Sequence, residues 1–165
     1  MGLKRLAPMI ALALAAGLAL PVVEVAAQTQ AEPRCDLDGD GFADLPLGEN
    51  TATVSGALEA GQVSVRYGTA NGLPEAADEF WHQDTAGVEG TAGAGDRFGW
   101  TFACGDFDGN GFDDLAVGVP WEDVPGANNA GAVQVFLGSA DGLTAAGNAV
   151  FHQDSPGVVN AAQAG

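Results

Sequence analysis

Positive charge is the scarcest component of this chain. Only 5 Lys+Arg face 22 Asp+Glu in 165 residues, a formal net charge of -17. A surface of that sign repels phosphate backbones and anionic membrane faces, which excludes nucleic acid as a partner. Histidine is reduced to His82 and His152. Each sits in the same His-Gln-Asp context after an aromatic residue, a duplicated placement that reads as a structural hydrogen bond rather than as acid–base machinery. No serine or cysteine lies in anything resembling a nucleophile elbow, so the chain is read as non-enzymatic. The two cysteines, Cys35 and Cys104, are too few for a disulfide framework. They either pair, which needs Cα atoms within about 7 Å, or stand as separate thiols near strand ends. Helical periodicity is missing from residue 28 onward, and each of the 25 glycines would cost a helix roughly 1 kcal/mol relative to alanine.

The one long apolar run lies at the start. Lys4 and Arg5 precede an uninterrupted apolar stretch from Leu6 to Leu20, and Val25-Ala26-Ala27 offers small residues for cleavage. A spanning helix needs about 20 apolar residues, and Pro21 and Glu24 interrupt this one. Residues 1–27 are therefore read as a secretory signal, which places the protein outside the cell or at its surface with no membrane span in the mature chain. Removing them takes away Lys4, Arg5 and Glu24. The remainder has 5 − 2 = 3 basic against 22 − 1 = 21 acidic residues and no lysine.

That remainder is an internal repeat. Shifted by 70, residues 36–95 align with 106–165 without a gap, and 28 of the 60 pairs are identical. Asp36-Leu37-Asp38-Gly39-Asp40-Gly41-Phe42-Ala43-Asp44 matches Asp106-Phe107-Asp108-Gly109-Asn110-Gly111-Phe112-Asp113-Asp114, and His82-Gln83-Asp84 matches His152-Gln153-Asp154. A fixed period marks units that cannot bury their apolar faces alone. Two units follow, 28–95 and 96–165.

Inside each unit the pattern is β. Val63, Val65 and Tyr67 alternate with Gln62, Ser64 and Arg66, and Val133, Val135 and Leu137 do likewise, the period of a half-buried strand. Asn71-Gly72 and Asp141-Gly142 supply hairpin turns. Phe80-Trp81 and Val150-Phe151 read as return strands, Phe98 to Ala103 as a strand entering the acidic loop, and Leu115 to Val119 as one leaving it. Each complete unit thus holds four strands. The first has Gln28 to Glu32 where the second has Phe98 to Phe102, so its entering strand is degenerate. Trp81, Trp100 and Trp121 read as buried aromatics between sheets rather than as a sugar platform. The fold class is all-β: two four-stranded antiparallel propeller blades, the first incomplete.

The acidic loops carry the chemistry. Asp36, Asp38, Asp40 and Asp44 stand at positions 1, 3, 5 and 9, and Asp106, Asp108, Asn110 and Asp114 repeat the spacing. Alternate side chains then converge on one point, with the carbonyls of Phe42 and Phe112 as backbone ligands at position 7. About 6 to 8 oxygens suit calcium, and nothing here offers the nitrogen or sulfur that favours zinc. Position 12 is Leu47 or Val117, where an EF-hand needs a bidentate Glu, and strand-like sequence follows in place of a helix.

Phe98-Gly99, the loop Asp106 to Asp114 and Gly118-Val119-Pro120 together resemble the FG-GAP repeat, the calcium-loop blade of the integrin α-subunit propeller and of many exported bacterial proteins. The resemblance spans residues 35–165. It is weaker in the first unit, where Leu45 to Asn50 replaces the Gly-Val-Pro ending. It implies a Ca2+ ligand set of Asp36, Asp38, Asp40, Phe42, Asp44, Asp106, Asp108, Asn110, Phe112 and Asp114. It also implies a non-catalytic module for structural or adhesive interactions, whose partners are further FG-GAP blades or a protein or carbohydrate ligand at the cell surface. The alternative is an accessory propeller segment of an exported hydrolase of phospholipase or esterase type. Rings take about 4 to 8 blades and the pattern breaks off at Gly165, so association into a larger ring or a truncated reading frame is expected.

Overall fold

The computed structural model describes residues 35–76, 79–159 and 162–165. The expected signal at 1–27 and the degenerate entering strand lie outside the described residues. Seven strands and no helix occur among those described: β1 (Leu45–Glu49), β2 (Gln62–Arg66), β3 (Glu79–Trp81), β4 (Thr101–Gly105), β5 (Asp114–Val119), β6 (Ala132–Leu137) and β7 (Thr144–Phe151). They form a three-stranded sheet, β1-β2-β3, and a four-stranded sheet, β4-β5-β6-β7, each a meander of antiparallel neighbours. The protein is all-β, and the offset of 70 seen in sequence relates one sheet to the other. Even the small bridge Val54–Ala57 recurs as Val124–Ala127.

Each sheet hides its apolar face against the other. Leu37, Val63, Val65 and Trp81 from the first unit join Phe98, Leu115, Val117, Val119, Phe136 and Leu143 from the second in one buried cluster. Trp81 and Phe98 flank the Phe136 ring with centroids 5.1 and 6.1 Å away, the latter edge-on. Burying a side chain such as Phe98 contributes about 1.5–3 kcal/mol. The Phe-Gly pair has a steric reason: Phe98 plugs the core while Gly99, at φ +86°, brings the backbone so close that a Cβ would lie 2.8 Å from the Gln62 carbonyl.

Polar groups staple the same interface. Asn148 accepts from Gln134 Nε2 at 2.7 Å and from the Glu89 N–H at 2.9 Å, and donates to the Gly87 carbonyl at 2.8 Å. Tyr67 accepts from the Leu143 N–H at 2.8 Å. Cys35 and Cys104 are joined in a disulfide, with Cα atoms 5.3 Å apart. Of the two readings left open by the sequence, the structure takes the paired one.

Several expectations shift. On β6 the buried residues are Gln134 and Phe136, whereas Val133 is 41% exposed. The alternation was real, but both faces of this strand are apolar enough to be the inner one, and period 2 does not say which. Ser64 on β2 is buried as well. The entering strand begins at Thr101 rather than Phe98, because the left-handed Arg97 (φ 57°) and Gly99 hold the preceding residues in a turn. Leu45 to Asn50, which breaks the motif, still supplies β1. Pro46 is accommodated there because β1 is an edge of the described sheet, where a missing N–H leaves no ladder partner unmet. Trp100 is not a buried aromatic: it is half-exposed, edge-on to Trp121 at 5.0 Å, with the Arg97 guanidinium over both rings.

Candidate metal centre

The second acidic loop leaves β4, and the two loops end by feeding β1 and β5. Their shape is set by carboxylates turned back onto each loop's own N–H groups. Asp36 Oδ2 accepts from Gly41 (3.1 Å), Asp38 Oδ1 from Asp40 (3.1 Å), and Asp40 Oδ1 from Phe42 (2.8 Å). The second loop repeats these bonds with Asp106 and Gly111 (3.0 Å), Asp108 and Asn110 (3.0 Å), and Asn110 and Phe112 (2.8 Å). Short polar side chains alternating with glycine at positive φ, Gly39 and Gly41 or Gly109 and Gly111, make this winding possible.

The turn closes on the residue at position 9. Asp44 accepts from the Leu37 N–H (2.6 Å) and the Gly68 N–H (2.8 Å), and Asp114 from Phe107 (2.7 Å) and Gly138 (2.8 Å). Both aspartates are buried. Position 9 thus ties the loop to its own start and to the turn that follows β2 or β6, a task independent of any ion.

Asp36, Asp38 and Asp40 each bring a carboxylate oxygen within 4.8 Å of the others, and Asp106, Asp108 and Asp114 do the same. Asn110 lies beside the second trio, donating to Asp108 Oδ2 at 3.1 Å. The closing residue differs between the copies: Asp114 belongs to the second trio, whereas Asp44 stands outside the first, and Phe42 and Phe112 hold position 7 before them. Burial raises the pKa of Asp38, with the charges of Asp40 and Asp36 adding to the rise. Burial likewise raises Asp44 to about 6, against the pull of the Gly68 and Leu37 N–H groups. One atom bears directly on fit: Asp36 Oδ1 is buried with no hydrogen-bond partner. An acceptor withdrawn from water and left unpaired costs about 1–3 kcal/mol. Such an atom beside two further carboxylates fits a hard divalent cation.

A residue that carried no weight in the sequence reading belongs here. Asp113, which stands where the first loop has Ala43, donates its N–H to the Asp36 carbonyl at 3.0 Å and accepts the Asp36 N–H on Oδ2 at 3.1 Å. The available signal was the departure from the repeat at that one position. The two histidines occupy turns: the His82 and His152 N–H groups donate to the hydroxyls of Thr85 and Ser155.

Antiparallel sheets packed face to face, each fed by an acidic loop at the same point of a 70-residue period, are consistent with blades of a β-propeller. Residues 98–136 match the FG-GAP repeat. Among curated proteins, the chain is similar to phosphatidylinositol-glycan-specific phospholipase D of Bos taurus, 36% identical over 107 residues. That match covers 65% of this chain and 13% of the relative. The proteins of the same name from Homo sapiens (36%) and Rattus norvegicus (35%) match over equal shares. The chain therefore spans about an eighth of the length of these relatives.

Proposed function

We propose that the chain is a non-catalytic, exported calcium-binding module of integrin-like propeller type, serving structural or adhesive interactions. The observation that carries this reading is a carboxylate trio gathered in each acidic loop, Asp36, Asp38 and Asp40 in one and Asp106, Asp108 and Asp114 in the other, with Asp36 Oδ1 buried and unpaired in the first. Calcium is held by Asp36, Asp38, Asp40, the Phe42 carbonyl and Asp44 in one loop, and by Asp106, Asp108, Asn110, the Phe112 carbonyl and Asp114 in the other. Export agrees with the Cys35–Cys104 disulfide, since such bonds persist in oxidising compartments. Thermal melting of the whole chain in calcium and in chelator, at equal ionic strength, tests the reading. Calcium at 100 times its Kd should stabilise by about 2.7 kcal/mol for each occupied loop. Unchanged melting would overturn it.

The structural role is assigned toward another blade of the same kind. The outer face of β5-β6-β7 exposes an apolar groove lined by Phe107, Ala116, Val135, Leu137 and Phe151. A second copy of this chain fits that face poorly, because the first unit carries Glu49 and Arg66 where the second presents Val119 and Phe136 to its neighbour. A second functional reading, an accessory segment beside hydrolase chemistry, is favoured by the similarity to phosphatidylinositol-glycan-specific phospholipases D. Turnover of an ester or phospholipid by a protein containing these blades, but not by this chain alone, is its expected signature.

A further inference from the structure

The two acidic loops are physically joined. Asp36 opens the first loop, and both of its backbone groups are engaged by Asp113, its N–H by the Asp113 carboxylate and its carbonyl by the Asp113 N–H. Asp113 lies between Phe112 and Asp114, the position 7 carbonyl and position 9 carboxylate of the second loop. The next residue of the first loop repeats the link: the Leu37 carbonyl accepts from the Ser139 N–H at 3.2 Å, and the adjacent Gly138 N–H donates to Asp114. At Gly39 a Cβ would lie 2.7 Å from the Phe112 ring, so the loops also touch sterically. The disulfide pins Cys35, the residue before Asp36, to β4.

Resting on the reading that these loops hold calcium, we infer that they bind it as a coupled pair, with Asp113 as the coupling residue. An ion in the first loop fixes the Asp36 backbone. That fixes Asp113, and with it the Phe112 carbonyl and Asp114 on either side, so part of the ordering cost of the second loop is met by the first ion. Linkage makes the effect reciprocal. Through-space repulsion between the ions opposes this only weakly, because Asp36, Asp38, Asp40 and Asp44 in the first loop, and Asp106, Asp108, Asp113 and Asp114 in the second, carry more charge than one divalent ion neutralises, and the sites face solvent screening. Asp113 is not counted as a ligand; it acts through the backbone of Asp36. The first loop shows that alanine is tolerated at this point of the turn, since Ala43 occupies it.

The test is calorimetric titration of the chelator-treated whole chain with calcium chloride. The wild-type chain should take up two ions with a Hill coefficient between 1 and 2, the first ion tightening the second site about five-fold or more. Asp113→Ala, which removes the carboxylate link and keeps the backbone one, should still bind two ions but with a coefficient closer to 1 than that of the wild-type chain. Asp113→Asn keeps an oxygen acceptor for the Asp36 N–H without the charge and should retain the coupling. Two independent sites in the wild-type chain, or coupling lost equally in Asp113→Asn and Asp113→Ala, would overturn the inference while leaving the calcium reading intact. No uptake at either loop would overturn the calcium reading itself. If Asp113→Ala does not fold by circular dichroism, Asp38→Ala replaces it. With the first loop disabled, the second should bind about five-fold more weakly, and an unchanged affinity counts against coupling.

Discussion

Leu37 and Phe107 occupy the same point of two successive repeats, yet Leu37 is 0% exposed and Phe107 54%. The contrast holds across the sheet face: Val63 is 0% and Val133 41%, and Trp81 is 8% and Phe151 49%. One unit shows this face covered by a following sheet, and the other shows the same kind of face open to solvent.

Truncation should therefore separate the pair. Leu37→Ala is expected to cost about 2–5 kcal/mol in urea unfolding followed by tryptophan fluorescence. Phe107→Ala should stay within about 0.5 kcal/mol on the isolated chain. It should become costly only when a further blade is supplied. A large loss for Phe107→Ala in the monomer would mean that its face is already covered in solution.

The disulfide closes a separation of 69 residues. In the chain-entropy account a loop of that size stabilises by roughly 4 kcal/mol. The paired substitution Cys35→Ser with Cys104→Ser should lower stability toward that value. Mass spectrometry of the unreduced chain should find both thiols blocked to alkylation; free thiols would remove the basis for the prediction.

The closing aspartates should matter without any ion. Asp44→Ala strands the Leu37 and Gly68 N–H groups, and Asp114→Ala those of Phe107 and Gly138. Each orphaned donor costs about 1–3 kcal/mol. Unfolding in chelator should show a loss of about 2–5 kcal/mol for either variant, and Asn substitutions, which keep one acceptor oxygen, a smaller one. If the loss appears only when calcium is present, the aspartates serve the ion alone.

Acidic pH should stabilise the junction between the units. Burial pushes Glu122 up to about 7, with the charges of Asp96 and Asp123 adding and the Gln83 side chain, bonded at 2.5 Å, pulling the other way. Asp96 is raised as well, chiefly by burial. The folded state therefore holds protons that the unfolded chain releases near the ordinary Glu value of 4.5. The contribution is complete below that pH and is lost as pH rises through about 7. Melting temperature in chelator should fall across this window, and Glu122→Gln should flatten the fall and raise melting at pH 8. A profile identical in both chains would rule Glu122 out as its source.

Much of this architecture was legible in the sequence because it is written twice. The match of Asp36 to Asp44 with Asp106 to Asp114 located both loops, and the alternation at Val63 and Val133 located the strands. The inward side of β6 was not legible. A strand within a stack of sheets meets apolar neighbours on both faces, so Val133 and Phe136 are equally plausible as core until the packing is seen. Asp113 was passed over for a different reason: its carboxylate works on the backbone of Asp36, 77 residues away, and ligand spacing within one loop carries no trace of that. The half-exposed Trp100 shows the limit of composition, since tryptophan signals packing without saying whether a second ring or a sheet will supply it.

Likeness between neighbouring units, identical at 28 of 60 paired positions, carries a hazard of exchange, since segments this alike could trade places while the chain refolds, a recognised failure of tandem arrays. The cysteines break that degeneracy. Counterparts of Cys35 and Cys104 at the repeat offset are Gly105 and Arg34, so neither thiol has a twin. With a single possible intramolecular pairing, oxidation keys the earlier unit to the later one and leaves no scrambled isomer to sort.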